Sequence, residues 1–96
     1  MDKGGIHIMK ALYFKSNNCP VCKDFLPKFI LICNEYNIPY EIIDLSDNQE
    51  KAGQLTVFSV PTIIFLNEEN YELIRFSGYF GSYEIKNFLD RYYSTY

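Results

Sequence analysis

Two cysteines lie three positions apart in the stretch "SNNCPVCKDF", residues 16–25, directly after the apolar run "ALYF". Cysteine attacks disulfides and binds metals as the thiolate, so such a pair performs chemistry only where a sulfur anion is stabilised. Three uses fit the Cys-Pro-Val-Cys order of residues 19–22. The pair could be a dithiol redox couple, half of a zinc site, or two small buried side chains. The elements around the pair decide among these.

The size and charge of the chain narrow the classes of protein to consider. Its 96 residues suffice for one hydrophobic core, and we expect one domain over residues 10–96. Residues 1–9 are then an N-terminal extension or the start of the first strand. With 48% hydrophobic and 22% charged residues the chain is globular. The net charge of -3 leaves no basic surface for nucleic acid or for an anionic membrane.

A membrane-spanning segment or a signal peptide in the sequence would indicate a membrane protein or an exported protein. No apolar stretch reaches the ~20 residues that cross a bilayer, and "MDKGGIHIMK" has neither the apolar core nor the cleavage signature of a signal peptide. We therefore expect a cytoplasmic protein without a membrane partner, and a monomer. Three cysteines with no sign of export predict reduced thiols rather than a disulfide framework.

A helix is predicted from Pro20 to about Tyr36, and it begins at the cysteine pair. Apolar residues recur there at spacings of three and four, which marks one buried face: Cys22, Phe25, Leu26, Phe29, Ile30, Cys33 and Tyr36. Proline suits the first helical position, and Pro27 inside the helix predicts a kink. The β-prone run at residues 10–16 precedes this helix, and the turn formers "SNN" end it.

The rest of the chain alternates strands and helices. "YEIIDL" is a second strand, parallel to the first because a helix connects them. The capping-box spacing from Ser46 to Gln49 predicts a short helix near residues 48–55. "PTIIFL" and "YELIRFS" form a hairpin around the turn "NEEN". Ser82 is predicted to cap a last helix, whose buried face is Ile85, Phe88, Leu89 and Tyr92. The order β-α-β-α-β-β-α predicts an α/β fold, with a central mixed four-stranded sheet flanked by three helices.

This arrangement favours redox chemistry at the pair. Cys19 falls at the N-cap of the first helix, where unpaired amides and the positive end of the helix dipole favour a thiolate. Lys15 and Lys23 are candidates for further lowering its pKa. Cys22 lies one turn deeper, and Cβ atoms three residues apart on a helix are roughly 5–6 Å from each other, near disulfide geometry. Cys19 would attack a substrate disulfide, and Cys22 would resolve the mixed disulfide.

The other two interpretations of the cysteine pair, a zinc site and inert packing, have less support. Zinc needs four ligands, and the only further soft ligands are Cys33 and His7. Cys33 lies on the apolar face of the helix, where we expect a buried side chain. No metal is therefore expected, although a zinc site and inert packing stay as alternatives.

The chain resembles the thioredoxin superfamily over residues 10–93. "CPVCKDFLP" resembles the family motif of CxxC followed by Lys23 and the kinking Pro27, and Phe14 matches the aromatic residue of the preceding strand. "SVPT", residues 59–62, resembles the cis-proline motif. "FSGYFGSYEIKNFLDRY" resembles the last strand, its Gly78 and the last helix. The resemblance implies the thioredoxin fold.

The resemblance also implies a substrate site. The Val60–Pro61 bond would be cis, against the ordinary preference of X–Pro bonds for trans, and Pro61 would face Cys19. The backbone of Val60 would pair with an extended substrate, as in β-augmentation, with Pro20 and Val21 beside it.

Three departures from the family pattern stand near the cysteines. Asn18 precedes the pair where thioredoxins proper carry tryptophan, and Cys-Pro-x-Cys is closer to glutaredoxins. Tyr13 occupies the strand position of the family's buried carboxylate. The turn after Gly78 lacks the Gly-Gly pair that closes around glutathione.

The predicted function is that of a small thiol–disulfide oxidoreductase, thioredoxin-like or glutaredoxin-like, which reduces protein disulfides. Cys19 is the nucleophile and Cys22 the resolving cysteine. No bound cofactor is expected, so an external donor is required, either thioredoxin-reductase-like or glutathione-based. The alternative is a non-catalytic thioredoxin-like module for redox sensing or partner binding.

Overall fold

A computed structural model of the protein describes residues 9–94. The predicted N-terminal extension and His7 therefore lie outside the described residues, apart from Met9, which is buried. The elements are β1 (Lys10–Lys15), α1 (Pro20–Glu35), β2 (Tyr40–Asp44), α2 (Gln49–Gln54), β3 (Thr62–Leu66), β4 (Glu72–Ser77) and α3 (Ser82–Ser94). A short 3-10 helix, Leu45–Asp47, precedes α2. This is the predicted order of strands and helices.

The four strands form one mixed sheet in the order β2-β1-β3-β4. β1 pairs with β2 in parallel because α1 carries the chain back across the sheet, and it pairs with β3 antiparallel. β4 pairs antiparallel with β3, with one shift of register between Phe65 and Leu66. β1 is therefore a central strand, and its end at Lys15 delivers the chain to the cysteine pair.

The side chains of β1 alternate between two cores, one on each face of the sheet. Tyr13 packs with α1 and α3, in a cluster that includes Phe29, Cys33, Ile85 and Leu89. Leu12 and Phe14 point to the other face, towards α2, in a cluster with Ile43, Ala52, Val57 and Ile64. The predicted three helices thus cover both faces. Cys33 is a buried hydrophobe, as expected.

The predicted capping box at Ser46 is wrong. The carboxylate of Asp44 accepts a hydrogen bond from the backbone N–H of Ser46 at 2.9 Å and holds that segment in the 3-10 helix. The N-cap of α2 is Asn48, whose side chain makes no capping hydrogen bond. An Asp side chain that bonds nearby backbone competes with regular helix formation. Ser46 therefore lies in the 3-10 helix, whereas α2 occupies Gln49–Gln54, within the predicted residues 48–55.

The cap of the last helix also differs from its prediction. α3 begins at Ser82 itself, so Gly81 occupies the capping position. The carboxylate of Glu84 accepts a hydrogen bond from the backbone N–H of Gly81 at 3.2 Å. This is the reciprocal half of a capping box, which needs no hydroxyl at the cap. Of the face predicted for this helix, Ile85 and Leu89 are buried, and Phe88 and Tyr92 are partly buried.

No helix within residues 9–94 has the length and apolar character required to cross a membrane.

The buried Tyr13 and Cys33 predict a loss of stability in alkaline solution. Burial raises the pKa of Tyr13 from 10.0 to about 12 and that of Cys33 from 9.0 to about 12. Both groups stay protonated to a higher pH in the folded state than in the unfolded state. Their contribution to the stability of the fold is therefore complete below pH 9 and is lost as the pH rises towards 12. The free energy of unfolding of the oxidised protein, measured with urea, should therefore fall above pH 9.

Cys33→Ala is the matched variant for this titration. It should be less stable at neutral pH because of the cavity it leaves, but its stability should fall less steeply between pH 9 and 11. Equal slopes for the two proteins would contradict the assignment of this pH dependence to the buried thiol.

Candidate functional site

The cysteine pair lies where the central strand passes into the first helix. β1 ends at Lys15, a turn follows, and Cys19 is the N-cap of α1 with extended backbone angles, φ -118° and ψ 95°. Pro20 takes the first helical position, where its missing N–H leaves no hydrogen bond unmade. The backbone N–H of Cys22 donates to the sulfur of Cys19 at 3.1 Å. The sulfur therefore accepts the bond that an N-cap side chain makes.

The two sulfurs differ in their access to solvent. Cys19 and Cys22 are joined in a disulfide with Cα atoms 5.2 Å apart, so the pair is in its oxidised form and Cys33 is the free thiol within residues 9–94. The sequence predicts reduced thiols, and within the described residues this holds for Cys33 but not for the Cys19–Cys22 pair. Cys22 is 1% exposed, whereas Cys19 is half-buried. An incoming group can reach the outer sulfur, and the inner sulfur is shielded.

The disulfide opens onto a pocket of about 630 Å³. Both cysteines line this pocket, together with the turn after β1 and the first turn of α1. Pro20 and Val21 lie between the cysteines and are exposed, Val21 by 61%. The surface around the outer sulfur therefore offers an apolar side chain to a ligand.

The two lysines predicted to influence Cys19 also line this pocket. The ammonium of Lys15 lies 3.3 Å from the carboxylate of Asp44 and 3.3 Å from the side-chain oxygen of Asn17. Hydrogen bonds from Ser46 hold the pKa of Asp44 below its ordinary value, with a smaller contribution from Lys15. The charge of Lys15 is thus balanced by a carboxylate, whereas Lys23 is exposed on the first turn of α1. Their effect on the Cys19 thiol stays a prediction.

Tyr13 is hydrogen-bonded to the backbone of the inner cysteine. Its side chain is fully buried, and its phenol donates a 2.7 Å hydrogen bond to the backbone carbonyl of Cys22. Sequence reasoning singled out this position as one where the family keeps a carboxylate, but it did not find the bond, because the bond joins β1 to α1 across the core. Since burial holds the pKa of Tyr13 at about 12, the group is a neutral donor at physiological pH.

The proline predicted to face the cysteines has the expected backbone. The Val60–Pro61 peptide bond is cis, Pro61 is buried, and Val60 is partly buried against the cores on both faces of the sheet. Cys19 packs against the same core on the α1 side. The hydroxyl of Thr62 donates to the carbonyl of Ser59 at 2.8 Å and anchors the segment that leads into the cis bond.

The zinc alternative requires four ligands in one place. Within residues 9–94 no group of three or more His, Cys, Asp or Glu side chains is placed to hold an ion. Cys22 already has its sulfur joined to Cys19, and Cys33 is buried in the core between α1 and the sheet. His7, the remaining candidate ligand for zinc, lies outside the described residues.

These features define a class: a mixed sheet whose central strand leads into a helix capped by one cysteine of a disulfide-bonded pair, with a cis-proline before the neighbouring strand. The sequence model of the thioredoxin family, described as Thioredoxin, matches residues 7–91. The chain belongs to the thioredoxin family. Its family and its close cysteine pair make it an oxidoreductase of the thiol–disulfide type.

Known proteins agree with this assignment. The structure of thioredoxin 1 from the thermophilic eubacterium Thermosipho africanus TCF52B superposes with a TM-score of 0.85 at 40% identity, covering 90% of this chain and 96% of that one. Thioredoxin-like protein YdfQ of Bacillus subtilis (strain 168) is 28% identical over 91 residues, which are 94% of this chain and 80% of YdfQ. The X-ray structure of Fasciola hepatica thioredoxin shares the fold, with a TM-score of 0.77 at 24% identity, over 88% of this chain and 80% of that one.

The difference in exposure predicts selective alkylation of the reduced protein. Iodoacetamide should modify Cys19 first, because Cys22 and Cys33 are 1% and 0% exposed. Peptide mass spectrometry after short exposures gives the order of modification. Modification of Cys22 before Cys19 would contradict the geometry of the pair.

The bond from Tyr13 to the Cys22 carbonyl predicts a cost for removing one hydroxyl. Tyr13→Phe keeps the ring and loses the bond, so the free energy of unfolding should fall by about 1 kcal/mol. Tyr83→Phe is the matched control, since Tyr83 is 78% exposed, and its stability should not change. Urea unfolding of the oxidised proteins measures both, and equal stability of the two variants would contradict a contribution from the buried bond.

Proposed function

We propose that the protein reduces the disulfides of other proteins by dithiol exchange, with Cys19 as the nucleophile and Cys22 as the resolving cysteine. The observation that carries the proposal is the half-buried sulfur of Cys19 at the N-cap of α1, hydrogen-bonded by the Cys22 amide and backed by the buried Cys22 sulfur. Membership of the thioredoxin family supports it.

In the first step the Cys19 thiolate attacks one sulfur of the substrate disulfide. A mixed disulfide between Cys19 and the substrate forms, and the other substrate sulfur leaves as a thiolate. The Cys22 amide and the positive end of α1 favour the anion on Cys19 before the attack. The attacking group is thus stabilised by backbone that is already in place, so no rearrangement of the helix is required.

In the second step Cys22 attacks the sulfur of Cys19. The Cys19–Cys22 disulfide forms, the second substrate sulfur leaves, and two electrons have passed to the substrate. The proton lost by Cys22 goes to the leaving thiolate or to solvent. Tyr13 does not accept this proton, because its phenol is neutral and donates to the Cys22 carbonyl. The pair ends in the oxidised form that the structure describes.

The substrate polypeptide is proposed to bind along the cis-proline segment. An extended chain would pair with the backbone of Val60 by β-augmentation, next to Pro61. Pro20 and the exposed Val21 would contact it on the other side of the reactive sulfur. Support for this placement comes from the partly buried Val60 and from Cys19, both of which border the core between the sheet and α1.

The oxidised pair must be reduced by an external donor, because dithiol exchange leaves no electrons on the protein. We assign this role to a thioredoxin-reductase-like enzyme or to a glutathione-based donor, in a reducing compartment such as the cytoplasm. The 40% identity to thioredoxin 1 of Thermosipho africanus favours a thioredoxin-type activity over a glutaredoxin-type one.

Insulin reduction in the presence of dithiothreitol tests the proposal. The unchanged protein and Cys33→Ala, whose cysteine is buried away from the pair, should accelerate the reaction. Cys19→Ser should react no faster than dithiothreitol alone, because it lacks the attacking sulfur. Activity that survives Cys19→Ser would overturn the mechanism, and an inactive unchanged protein would favour the sensing or binding module.

Cys22→Ser separates the two steps. This variant should form the mixed disulfide and fail to resolve it, so that substrate proteins stay bound to Cys19. Non-reducing gels of cell extract, followed by mass spectrometry, identify the trapped proteins. The double variant with Cys19→Ser is the control and should trap none.

A further inference from the structure

Arg75, on the edge strand β4, makes four hydrogen bonds that join separate parts of the fold. Its Nε and Nη2 donate to the Glu72 carboxylate at 2.8 and 2.7 Å. Its Nη1 and Nη2 donate to the backbone carbonyls of Thr56 and Leu55 at 3.0 and 2.7 Å. One guanidinium therefore connects β4 to the segment that follows α2.

The pairing of Glu72 with Arg75 depends on an irregularity in the strand. In a regular strand, side chains three positions apart point to opposite faces of the sheet. Here Phe65 pairs with Ile74 but Leu66 pairs with Glu72, so Leu73 is an extra residue in β4. An extra residue shifts the alternation by one position. The carboxylate and the guanidinium consequently lie on the same face, towards α2.

The turn that Arg75 contacts ends α2 with a residue in the left-handed backbone region. Thr56 has φ 60°, in the left-handed region that β-branched residues rarely adopt. Its N–H donates to the carbonyl of Gly53 at 3.2 Å, and the N–H of Val57 donates to the carbonyl of Ala52 at 2.8 Å. These two hydrogen bonds form a Schellman motif, in which a helix commonly ends on a left-handed residue, and the guanidinium binds the carbonyls of both residues of the turn, Leu55 and Thr56.

The segment after this turn leads to the cis-proline. Phe58 is 82% exposed, so most of its ring is accessible to a ligand. Ser59 is exposed but is anchored by the Thr62 hydroxyl. The segment between α2 and Pro61 is thus held at its two ends by polar contacts, from Arg75 at the start and from Thr62 at the end.

Capping α2 alone does not account for these contacts. A cation at a helix C-terminus satisfies the last carbonyls, and the bond to Leu55 serves that purpose. The bond to Thr56 lies beyond the helix end, on the residue with the left-handed backbone. Glu72 in turn orients the guanidinium with two bonds, as a bidentate pair does.

We propose that Arg75, oriented by Glu72, is a positioning residue that sets how Phe58 and the cis-proline meet a substrate polypeptide. Arg75 then determines the apparent affinity for protein disulfides and not the reactivity of Cys19. The inference rests on the proposed function, because it concerns the substrate of that same site.

The test compares a large and a small disulfide. Arg75→Met keeps most of the side-chain length and removes the donors. KM for insulin, measured with dithiothreitol as donor, should rise by up to about tenfold, which is the whole free energy of one hydrogen bond from a charged group expressed as weaker substrate binding. The rate of the reduced protein with dithiobis-nitrobenzoate, which has no polypeptide to position, should stay within twofold of the unchanged protein.

Two further variants test the interpretation of the Arg75→Met result. Arg91→Met is the matched control, since Arg91 is an exposed arginine on α3, and it should change neither value. Glu72→Gln leaves Arg75 in place and should raise KM for insulin by a smaller factor. If Arg75→Met does not fold, as judged by circular dichroism, the Glu72→Gln result decides.

The outcomes separate the inference from the proposed function. An unchanged KM for insulin in Arg75→Met and Glu72→Gln would overturn the inference while the activity stands. An equal slowing with both disulfides would also overturn it, since that result indicates a general structural role. If the unchanged protein fails to reduce insulin at all, the proposed function falls, and this inference falls with it.

Discussion

The hydrogen bond from the Cys22 amide to the Cys19 sulfur is the contact on which the site depends. It exists because α1 begins immediately after the turn that follows the buried central strand, with proline at the first helical position. That sequence of elements leaves one sulfur half-buried at the helix end and the other in the core. An isolated CxxC peptide has neither the fixed helix terminus nor the buried wall. The fold is therefore the reason why two chemically identical thiols differ in their exposure to solvent.

Much of this arrangement could be predicted from the sequence, because it is encoded locally. The apolar periodicity of α1 and the β-prone runs predict the elements, and the position of the cysteines predicts which sulfur lies deeper. The cis bond at Pro61 has no local signal, since the intrinsic preference of an X–Pro bond is trans; the family resemblance alone indicated it. The cap at Ser46 was predicted wrongly because Asp44 competes for the same backbone N–H.

Two other contacts that sequence reasoning missed join different elements of the fold. The phenol of Tyr13 reaches the Cys22 carbonyl across the core, and Arg75 reaches carbonyls about twenty residues earlier in the chain. Neither pattern is periodic, and both depend on the register of strands that must be known first. Tyr13 also differs in kind from a buried carboxylate. Because its phenol is neutral, Tyr13 adds no negative charge beside the buried Cys22.

The extra residue in β4 has a consequence for where the hairpin tolerates changes in length. The turn between β3 and β4 is built locally by Asn67, whose side chain accepts from the backbone N–H groups of Glu69 and Tyr71. It lies at the end of the sheet remote from the cysteines, since Leu66 pairs with Lys10 and Thr62 with Phe14. A peptide tag or a fluorophore could be inserted there with the rest of the hairpin intact. A deletion of Leu73 would leave Glu72 and Arg75 two positions apart in a regular strand, where side chains share a face, so the hairpin could lose its extra residue and keep this pair.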